Sequence, residues 1–388
     1  MALHQKLLNT STYDQTLRPG KNQSEPTIVS MRMTVGNLVD IDEIAGTMTI
    51  KGDLEISWMD ERIAWDPDDH NGIRQVFIQK QKLWAPEMYC ISSLAQNTGL
   101  GLDNFMVKFS STGLANLDVQ SIFWSTCNIQ ITHYPVDVQS CLFEFSPNGY
   151  SSDEIRINII DREVVGNGYK ENSAWEFKNG EAFAREGKRS EADAFIVSVS
   201  YERRSIIHVI TVIVPTSLMG FVHMLVFFLP DDSGERVGFS VTVLLSLAVY
   251  QSMLSEALPK ASLPQIPIIS IKVFADILIS FIIQMCVIFS QYLYIKEQRG
   301  EDLPNVLKGF ARCLQCMERK QKVKADPIYS DDEEREGKEK KRKRFGDAVD
   351  IHRFRRIFNI VCGWICFVAL LATNICLISM LLEKTTKT

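Results

Sequence analysis

Four long apolar blocks in the second half of the chain set the pattern of hydrophobic and polar positions. At about 1.5 Å per residue, roughly 20 apolar residues cross a membrane, and each block is long enough to do so. We predict that Pro215 kinks the first block, and that Lys272 and Asp276 pair at the membrane interface near the start of the third. The blocks are residues 206–229, 237–258, 268–294 and 359–382.

The first 200 residues show a different pattern, in which short apolar and polar runs alternate between turn sequences. Residues 28–35 and 194–200 alternate as half-buried strands do, and Asn148-Gly149 is a typical turn between such runs. Many short strands separated by turns indicate a β-sandwich. Residues 2–8 predict a short amphipathic helix before the first strand.

Charge divides the chain at the same places. Residues 1–204 hold 19 basic and 28 acidic residues, whereas residues 296–356 hold 18 basic and 13 acidic residues. Basic loops remain in the cytoplasm, so the acidic segment and both termini are expected outside, where glycosylation sequons at Asn9 and Asn22 also fit. The predicted fold class is an α+β membrane protein made of an extracellular β-sandwich (1–204), three transmembrane helices (205–295), an intracellular loop with a basic amphipathic helix (296–356), and a fourth transmembrane helix with an extracellular C terminus (357–388).

Three cysteines in the extracellular segment narrow the kind of sandwich. Cys127 and Cys141 enclose 13 residues, far fewer than an immunoglobulin disulfide spans, so we interpret them as a local disulfide. Closing a loop of about 15 residues stabilises a fold by roughly 3 kcal/mol. Cys90 is left over and is interpreted as a buried free thiol.

The enclosed loop resembles the signature of the Cys-loop receptors, the pentameric ligand-gated ion channels. It carries Tyr134-Pro135-Val136-Asp137 between its cysteines, and it lies before the first apolar block. The pattern is closest to nicotinic acetylcholine receptor-type cation channel subunits. Further matches to the family are Trp58, Trp65, Trp84-Ala85-Pro86-Glu87, Arg203 ahead of Pro215, and residues 229–236 and 242–247.

The second apolar block carries a mixed stripe at helical spacing. Periodicity alone leaves open whether such a stripe lines a pore or packs on neighbouring helices. The resemblance, and the carboxylates Glu235 and Glu256 at its ends, favour a cation pore with a charged ring at each mouth. Leu245 and Val249 would form apolar rings that gate it, while Gly238 stands where the family usually has a hydroxyl residue. The predicted pore-lining residues are Glu235, Gly238, Thr242, Leu245, Val249, Ser252, Met253 and Glu256.

The resemblance also implies which residues couple ligand binding to the pore. We expect Arg203 to pair with a carboxylate such as Asp137 or Glu144, because a buried charge needs a partner. The alternative is that the Pro-x-Asp core of the loop only shapes a turn. The predicted coupling residues are Tyr134, Pro135, Asp137, Arg203 and Pro259.

The resemblance fails at the ligand site. A cage of aromatic rings holds a quaternary ammonium in amine-gated relatives, but Asp53, Ile91 and Asn148 stand at three cage positions here. We therefore do not expect an acetylcholine site of that type. The cleft formed by these three residues and Glu191, in the 185–193 loop, would suit a cation, a proton or a polar amine.

Other classes of function find little support. We find no motif for an enzyme, a cofactor, a metal site or nucleic-acid binding, and Cys313 and Cys316 form a single CxxC without partners. A membrane-anchored adhesion or binding protein is the alternative, but it leaves four spans and the stripe unexplained. The expected partners are the plasma-membrane bilayer, with a synaptic location as one option, an extracellular small-molecule ligand, permeant monovalent cations, and further subunits in a homopentamer or heteropentamer.

Overall fold

A computed structural model describes most of the chain as two compact units. The first, the β unit, runs from Met1 to Ser205, and the second, the helical unit, begins at Ile206. The predicted sites at Asn9, Pro259, Cys313 and Cys316 lie outside the described residues. Those residues are 2–8, 13–93, 105–188, 191–231, 234–257, 266–301 and 351–385.

The β unit contains two sheets. A short helix, α1 (Ala2–Leu7), precedes them as predicted. The strands are β1 (Thr27–Asp42), β2 (Thr47–Met59), β3 (Gln75–Gln79), β4 (Met88–Cys90), β5 (Met106–Ser110), β6 (Leu114–Thr126), β7 (Val138–Pro147), β8 (Ile155–Ile159), β9 (Val165–Lys170), β10 (Trp175–Arg185) and β11 (Ala194–Arg203). A seven-stranded sheet has the order β3-β5-β6-β2-β1-β8, with β9 also paired to β1, and a four-stranded sheet has the order β10-β11-β7-β4.

The two sheets share one hydrophobic core. Strand β1 alternates buried and exposed positions along its first half, whereas β11, with neighbours on both sides, is buried almost throughout. The Phe123 ring of β6 packs edge-to-face on the Phe145 ring of β7 with 5.5 Å between centroids, and so joins the sheets. Trp58 and Trp84 are buried in the same core. This arrangement confirms the predicted sandwich.

The cysteines behave largely as the sequence indicated. Cys127 and Cys141 form a disulfide with 5.3 Å between their α-carbons. Cys90 is free but half-buried rather than buried, because it ends a short edge strand, and its Sγ lies 3.4 Å from the Ser92 hydroxyl. Burial raises the pKa of the Cys90 thiol. Asn22 is exposed, and its glycosylation stays a prediction.

In the helical unit, the structure confirms four helices that are long and apolar enough to cross a membrane. The first span, Ile206–Phe228, is composite: α2 (Ile206–His208), a π-helical turn, α3 (Val214–Met224) and a 3₁₀ turn (Leu225–Phe228). The last helix begins eight residues before the apolar block that predicted it. Its first turns carry polar residues, so the apolar pattern did not include them. The other helices are α4 (Glu235–Ala257), α5 (Ile268–Gln298) and α6 (Ile351–Thr385).

The first span departs from α-helical geometry just before Pro215. In the π turn, the Val214 amide donates to the Val209 carbonyl, five residues earlier. Because Pro215 has no N–H, the Thr211 carbonyl, four residues earlier, loses its usual donor. The Tyr250 hydroxyl of α4 donates to that carbonyl instead. A side chain on the neighbouring helix thus satisfies the group that the proline leaves unpaired.

Lys272 and Asp276 form the expected ion pair at 2.6 Å, and both side chains are buried in the helical unit. The position of the pair at a membrane interface stays a prediction. The Lys272 ammonium also donates to the hydroxyls of Thr216 and Ser217 on α3, at 3.2 and 3.0 Å. Charges inside a membrane persist where such partners surround them, and the sequence spacing could not show that α3 supplies these partners.

We predict that Tyr250→Phe destabilises the helical unit. The substitution keeps the ring but removes the hydroxyl that donates to the Thr211 carbonyl, and a hydrogen bond of this kind contributes about 0.5–1.5 kcal/mol. The melting temperature of the detergent-solubilised protein should fall. Tyr292→Phe, at an exposed position of α5, is the matched control and should melt with the parent protein. Equal melting of both variants would contradict the assignment.

Candidate functional site

Helix α4 has two faces of opposite character. Its buried side chains within the chain include Arg236, Ser240, Val243 and Leu247. At 100° per residue, the predicted stripe lies on nearly the opposite side of the helix. All eight stripe residues, Glu235, Gly238, Thr242, Leu245, Val249, Ser252, Met253 and Glu256, are exposed in the single chain. This face is therefore available to line a water-filled passage.

The start of α4 places a carboxylate at one end of the stripe. Gly234 has φ +71°, a conformation that favours glycine, and the helix begins at the next residue. Glu235 occupies the first turn, where the helix dipole favours a negative charge. A Cβ at Gly238 would meet nothing within 4 Å, so packing within the chain does not require glycine there. A pore lined by this stripe would be wider at Gly238 than at a residue with a side chain.

A second candidate site surrounds Arg203 at the end of β11. Its Nε lies 2.8 Å from Asp137 Oδ1 and its Nη2 lies 3.1 Å from Asp137 Oδ2, so the pair is bidentate. Nη2 also donates to Glu43 at 2.5 Å. Of the two carboxylates considered for Arg203, the structure thus pairs it with Asp137, while Glu144 pairs with Arg185.

Aromatic rings complete the surroundings of Arg203. The guanidinium carbon lies 4.2 Å from the ring centroid of Trp175 and 5.0 Å from that of Tyr134. Burial alone would lower the pKa of the guanidinium, but the hydrogen bonds and charges of Asp137 and Glu43 raise it. Arg203 therefore stays charged, and its cation joins the disulfide loop to the end of β11.

Three members of this site were not identified from the sequence. Glu43 lies in the turn between β1 and β2, Trp175 begins β10, and Gln139 donates to Asp137 at 2.5 Å and to the Gln130 carbonyl at 2.9 Å. An acidic residue in the short segment between two alternating runs was the available signal for Glu43. Trp175 lies beside Arg203 because β10 pairs with β11, which no local pattern shows, whereas the partners of Gln139 lie within the disulfide loop.

The predicted ligand-binding residues are distributed over both sheets. Asp53 is exposed on β2 of the seven-stranded sheet, whereas Ile91 and Asn148 lie just beyond opposite ends of the β4–β7 pairing. Ile91 is exposed and donates its amide to the Glu144 carbonyl. Asp53 thus lies on a different sheet from the strands that flank Ile91 and Asn148, and no single surface of the β unit is shown to unite these three residues with Glu191.

Residues 187 and 188 lie close against residues 191–193. A Cβ at Gly187 would lie 2.3 Å from the Glu191 carbonyl oxygen, so only glycine fits there. The buried Asp193 carboxylate accepts the Gly187 amide at 2.9 Å and the Ile157 amide of β8 at 3.1 Å. Asp193 therefore anchors the loop that carries Glu191, a role that sequence reasoning missed.

Comparisons with known families agree with this fold. The model of the neurotransmitter-gated ion-channel ligand binding domain matches residues 1–205, and that of the neurotransmitter-gated ion-channel transmembrane region matches residues 212–364. The chain therefore belongs to the neurotransmitter-gated ion channels. This confirms the resemblance to the Cys-loop receptors and, because the family consists of channels, the expectation that the chain is not an enzyme.

Similar proteins are subunits of acetylcholine receptors. The acetylcholine receptor subunit beta of Rattus norvegicus is 28% identical over 295 residues, which cover 72% of this chain and 58% of the relative. The neuronal acetylcholine receptor subunit alpha-6 of Homo sapiens is 30% identical over 258 residues, which cover 65% of this chain and 52% of the relative. The match thus spans between half and three fifths of these relatives' lengths.

We predict that Arg203→Gln and Asp137→Asn each destabilise the β unit by about 3–5 kcal/mol, because each leaves a buried charge or its partner unmatched. The double variant should lose less than the sum of the two. Arg204→Gln removes the same charge one residue later, from an exposed pair with Glu171, and should cost at most about 1 kcal/mol. Thermal unfolding of the four variants measures this coupling, and strictly additive losses would contradict it.

Proposed function

We propose that the chain is a subunit of a pentameric, cation-selective channel of the plasma membrane, opened by a small molecule bound between neighbouring β units. The observation that carries this proposal is the exposed stripe of α4. Hydroxyl, apolar and carboxylate side chains follow one another along a helix that is apolar enough to span a membrane. An adhesion protein without a pore would not need such a face, because a helix surface that contacts lipid is favourable only when it is uniformly apolar.

The stripe would act as a series of rings around the pore axis. Glu235 and Glu256 would form carboxylate rings that concentrate cations and repel anions. Leu245 and Val249 would form apolar rings between them, and a narrow apolar constriction closes by losing its water. The acidic surplus of residues 1–204, with 28 acidic against 19 basic residues, would enrich cations at the outer mouth.

Coupling from ligand to pore would pass through the Arg203 site. Arg203 stands three residues before the start of the first span at Ile206. Its guanidinium is held by the disulfide loop through Asp137 and by the β1–β2 turn through Glu43. A ligand that moved either turn would therefore pull on the residue that leads into the first span.

The ligand itself should differ from acetylcholine in how it is held. Asp53, Ile91, Asn148 and Glu191 supply two carboxylates, an amide and an aliphatic side chain, and the Arg185–Glu144 pair lies beside the amide of Ile91. Hydrogen bonds and charge, rather than ring faces, would select the ligand. This favours a small polar or cationic molecule.

Replacement of Glu235 by Gln should weaken cation selectivity. Two unit charges about 4 Å apart in water interact with an energy of about 1 kcal/mol. The loss of the Glu235 charge should therefore lower the sodium-to-chloride permeability ratio severalfold. Voltage clamp of cells that express the chain, with a sodium chloride gradient, reads the ratio from the reversal potential. Glu301→Gln, beyond the end of α5, serves as the control. A parent channel whose reversal potential follows chloride would refute the cation assignment.

Replacement of Leu245 by Thr should favour the open channel. A hydroxyl in the apolar ring lets water remain in the constriction, so current should flow at lower ligand concentration or without ligand. Leu244→Thr changes the neighbouring residue, which is not on the stripe, and should leave the concentration dependence unchanged. If no ligand in a broad panel evokes current, even in the Leu245→Thr channel, conduction by this chain alone is refuted.

A further inference from the structure

Two cysteines of the helical unit meet where α5 and α6 pack together. Cys286 of α5 and Cys362 of α6 are both free, and their thiols are hydrogen-bonded to each other. Both residues are half-buried, so the pair keeps an accessible side. Two thiols in contact need little movement to reach the geometry of a disulfide, and neither cysteine belongs to the pore stripe or to the disulfide loop.

The packing of the two helices brings about this contact. The Phe289 ring of α5 packs on the Phe358 ring of α6 with 5.1 Å between their centroids. Further along, the Thr373 hydroxyl of α6 donates to Asp276 Oδ1 of α5 at 3.4 Å. The two cysteines lie about one turn from the rings, three residues before Phe289 and four residues after Phe358, on the same helix faces. An antiparallel register that is defined at two places therefore brings the two sulfur atoms together.

The accessible side of the pair has apolar neighbours. Ile282 lies one turn before Cys286, Val361 and Ile365 lie beside Cys362 along α6, and all three are exposed in the single chain. Both helices are long and apolar enough to cross a membrane, so an exposed apolar surface on them suits contact with lipid. A reagent that reaches the pair from this side must therefore dissolve in lipid.

Two further cysteines of α6 differ from the pair. Cys366 lies one turn beyond Cys362 but is only 4% exposed. Cys376 is exposed, but at about 1.5 Å per residue it lies roughly 21 Å along the helix from Cys362. Among the described residues of the helical unit, the pair is thus the place where two accessible thiols meet.

We propose that Cys286 and Cys362 form an oxidation site, at which an organic hydroperoxide dissolved in the lipid joins the third and fourth spans by a disulfide. One sulfur attacks the peroxide O–O bond, which breaks to release an alcohol and leaves a sulfenic acid on that cysteine. The sulfur of the other cysteine then attacks the sulfenic acid, and water leaves as the S–S bond forms. The two thiols lose two electrons and two protons, and the hydroperoxide is reduced to the alcohol and water.

The disulfide would change how the fourth span is held. In the reduced protein, noncovalent contacts such as the ring pair of Phe289 and Phe358 hold α6 against α5. A covalent bond within both helices would prevent α6 from sliding or rotating against α5. Oxidised lipid around the protein would thereby restrain the fourth span.

Peptide mass spectrometry of the full-length protein in liposomes can detect the link. The protein is treated with cumene hydroperoxide or, in parallel, with the same concentration of hydrogen peroxide. Free thiols are then alkylated, and the digest is analysed without reduction. We expect cumene hydroperoxide to produce a peptide that joins Cys286 to Cys362, with loss of alkylation at both residues. Dithiothreitol should restore the alkylation, and hydrogen peroxide, which favours water, should produce less of the link.

Single substitutions separate the pair from its neighbour. Cys286→Ala should abolish the link, whereas Cys366→Ala, the matched control on α6, should leave its yield unchanged. The proposal is overturned if no linked peptide forms, if the link joins Cys366 instead of Cys362, or if the link is complete before any oxidant is added. Equal yields from the two peroxides would also overturn it. None of these results depends on ion conduction, so the oxidation site and the channel function can fail separately.

Discussion

The guanidinium of Arg203 is almost fully enclosed, and a charge in that position must keep its partners, because an unpaired buried ion costs several kcal/mol. Its partners come from separate parts of the β unit: Asp137 from the disulfide loop, Glu43 from the β1–β2 turn and Trp175 from the start of β10. The loop, the turn and the end of β11 therefore cannot move independently. A shift of one must either carry the others along or exchange one set of partners for another, and this is the physical requirement for a coupling element.

Polar groups in the interior of the helical unit have different surroundings from the polar groups on the stripe of α4. Several polar groups in the interior are paired, as Lys272 is with Asp276 of its own helix and with the Thr216 hydroxyl of α3, and as His223 is with Ser240 of α4 at 2.7 Å. Polar groups on the stripe, such as Glu256, instead point away from the rest of the chain. An exposed carboxylate on a membrane-spanning helix is costly unless it meets water. The stripe therefore requires an aqueous surface.

The sequence predicted the parts of the structure that one physical constraint controls along a continuous stretch of chain. The membrane dictates long apolar blocks, a half-buried sheet dictates alternation as in β1, and a short disulfide loop is visible from its spacing. It did not predict Glu43, Asp193 or the burial of Lys272, because their partners are distant in sequence. Nor could periodicity show the π turn before Pro215 or the donor to the Thr211 carbonyl, since that donor is the hydroxyl of Tyr250 on another helix.

The order of charges at the start of α4 places two charged residues in opposite surroundings. Glu235 and Arg236 are adjacent, and a helix turns 100° per residue, so the first lies on the exposed stripe while the second is buried within the helical unit. The guanidinium of Arg236 is held by Asp231 and by the Val226 carbonyl at 2.9 Å. These contacts attach the first turn of α4 to the end of the first span, and with it the position of Glu235. A movement of the first span would therefore displace the carboxylate at this end of the stripe.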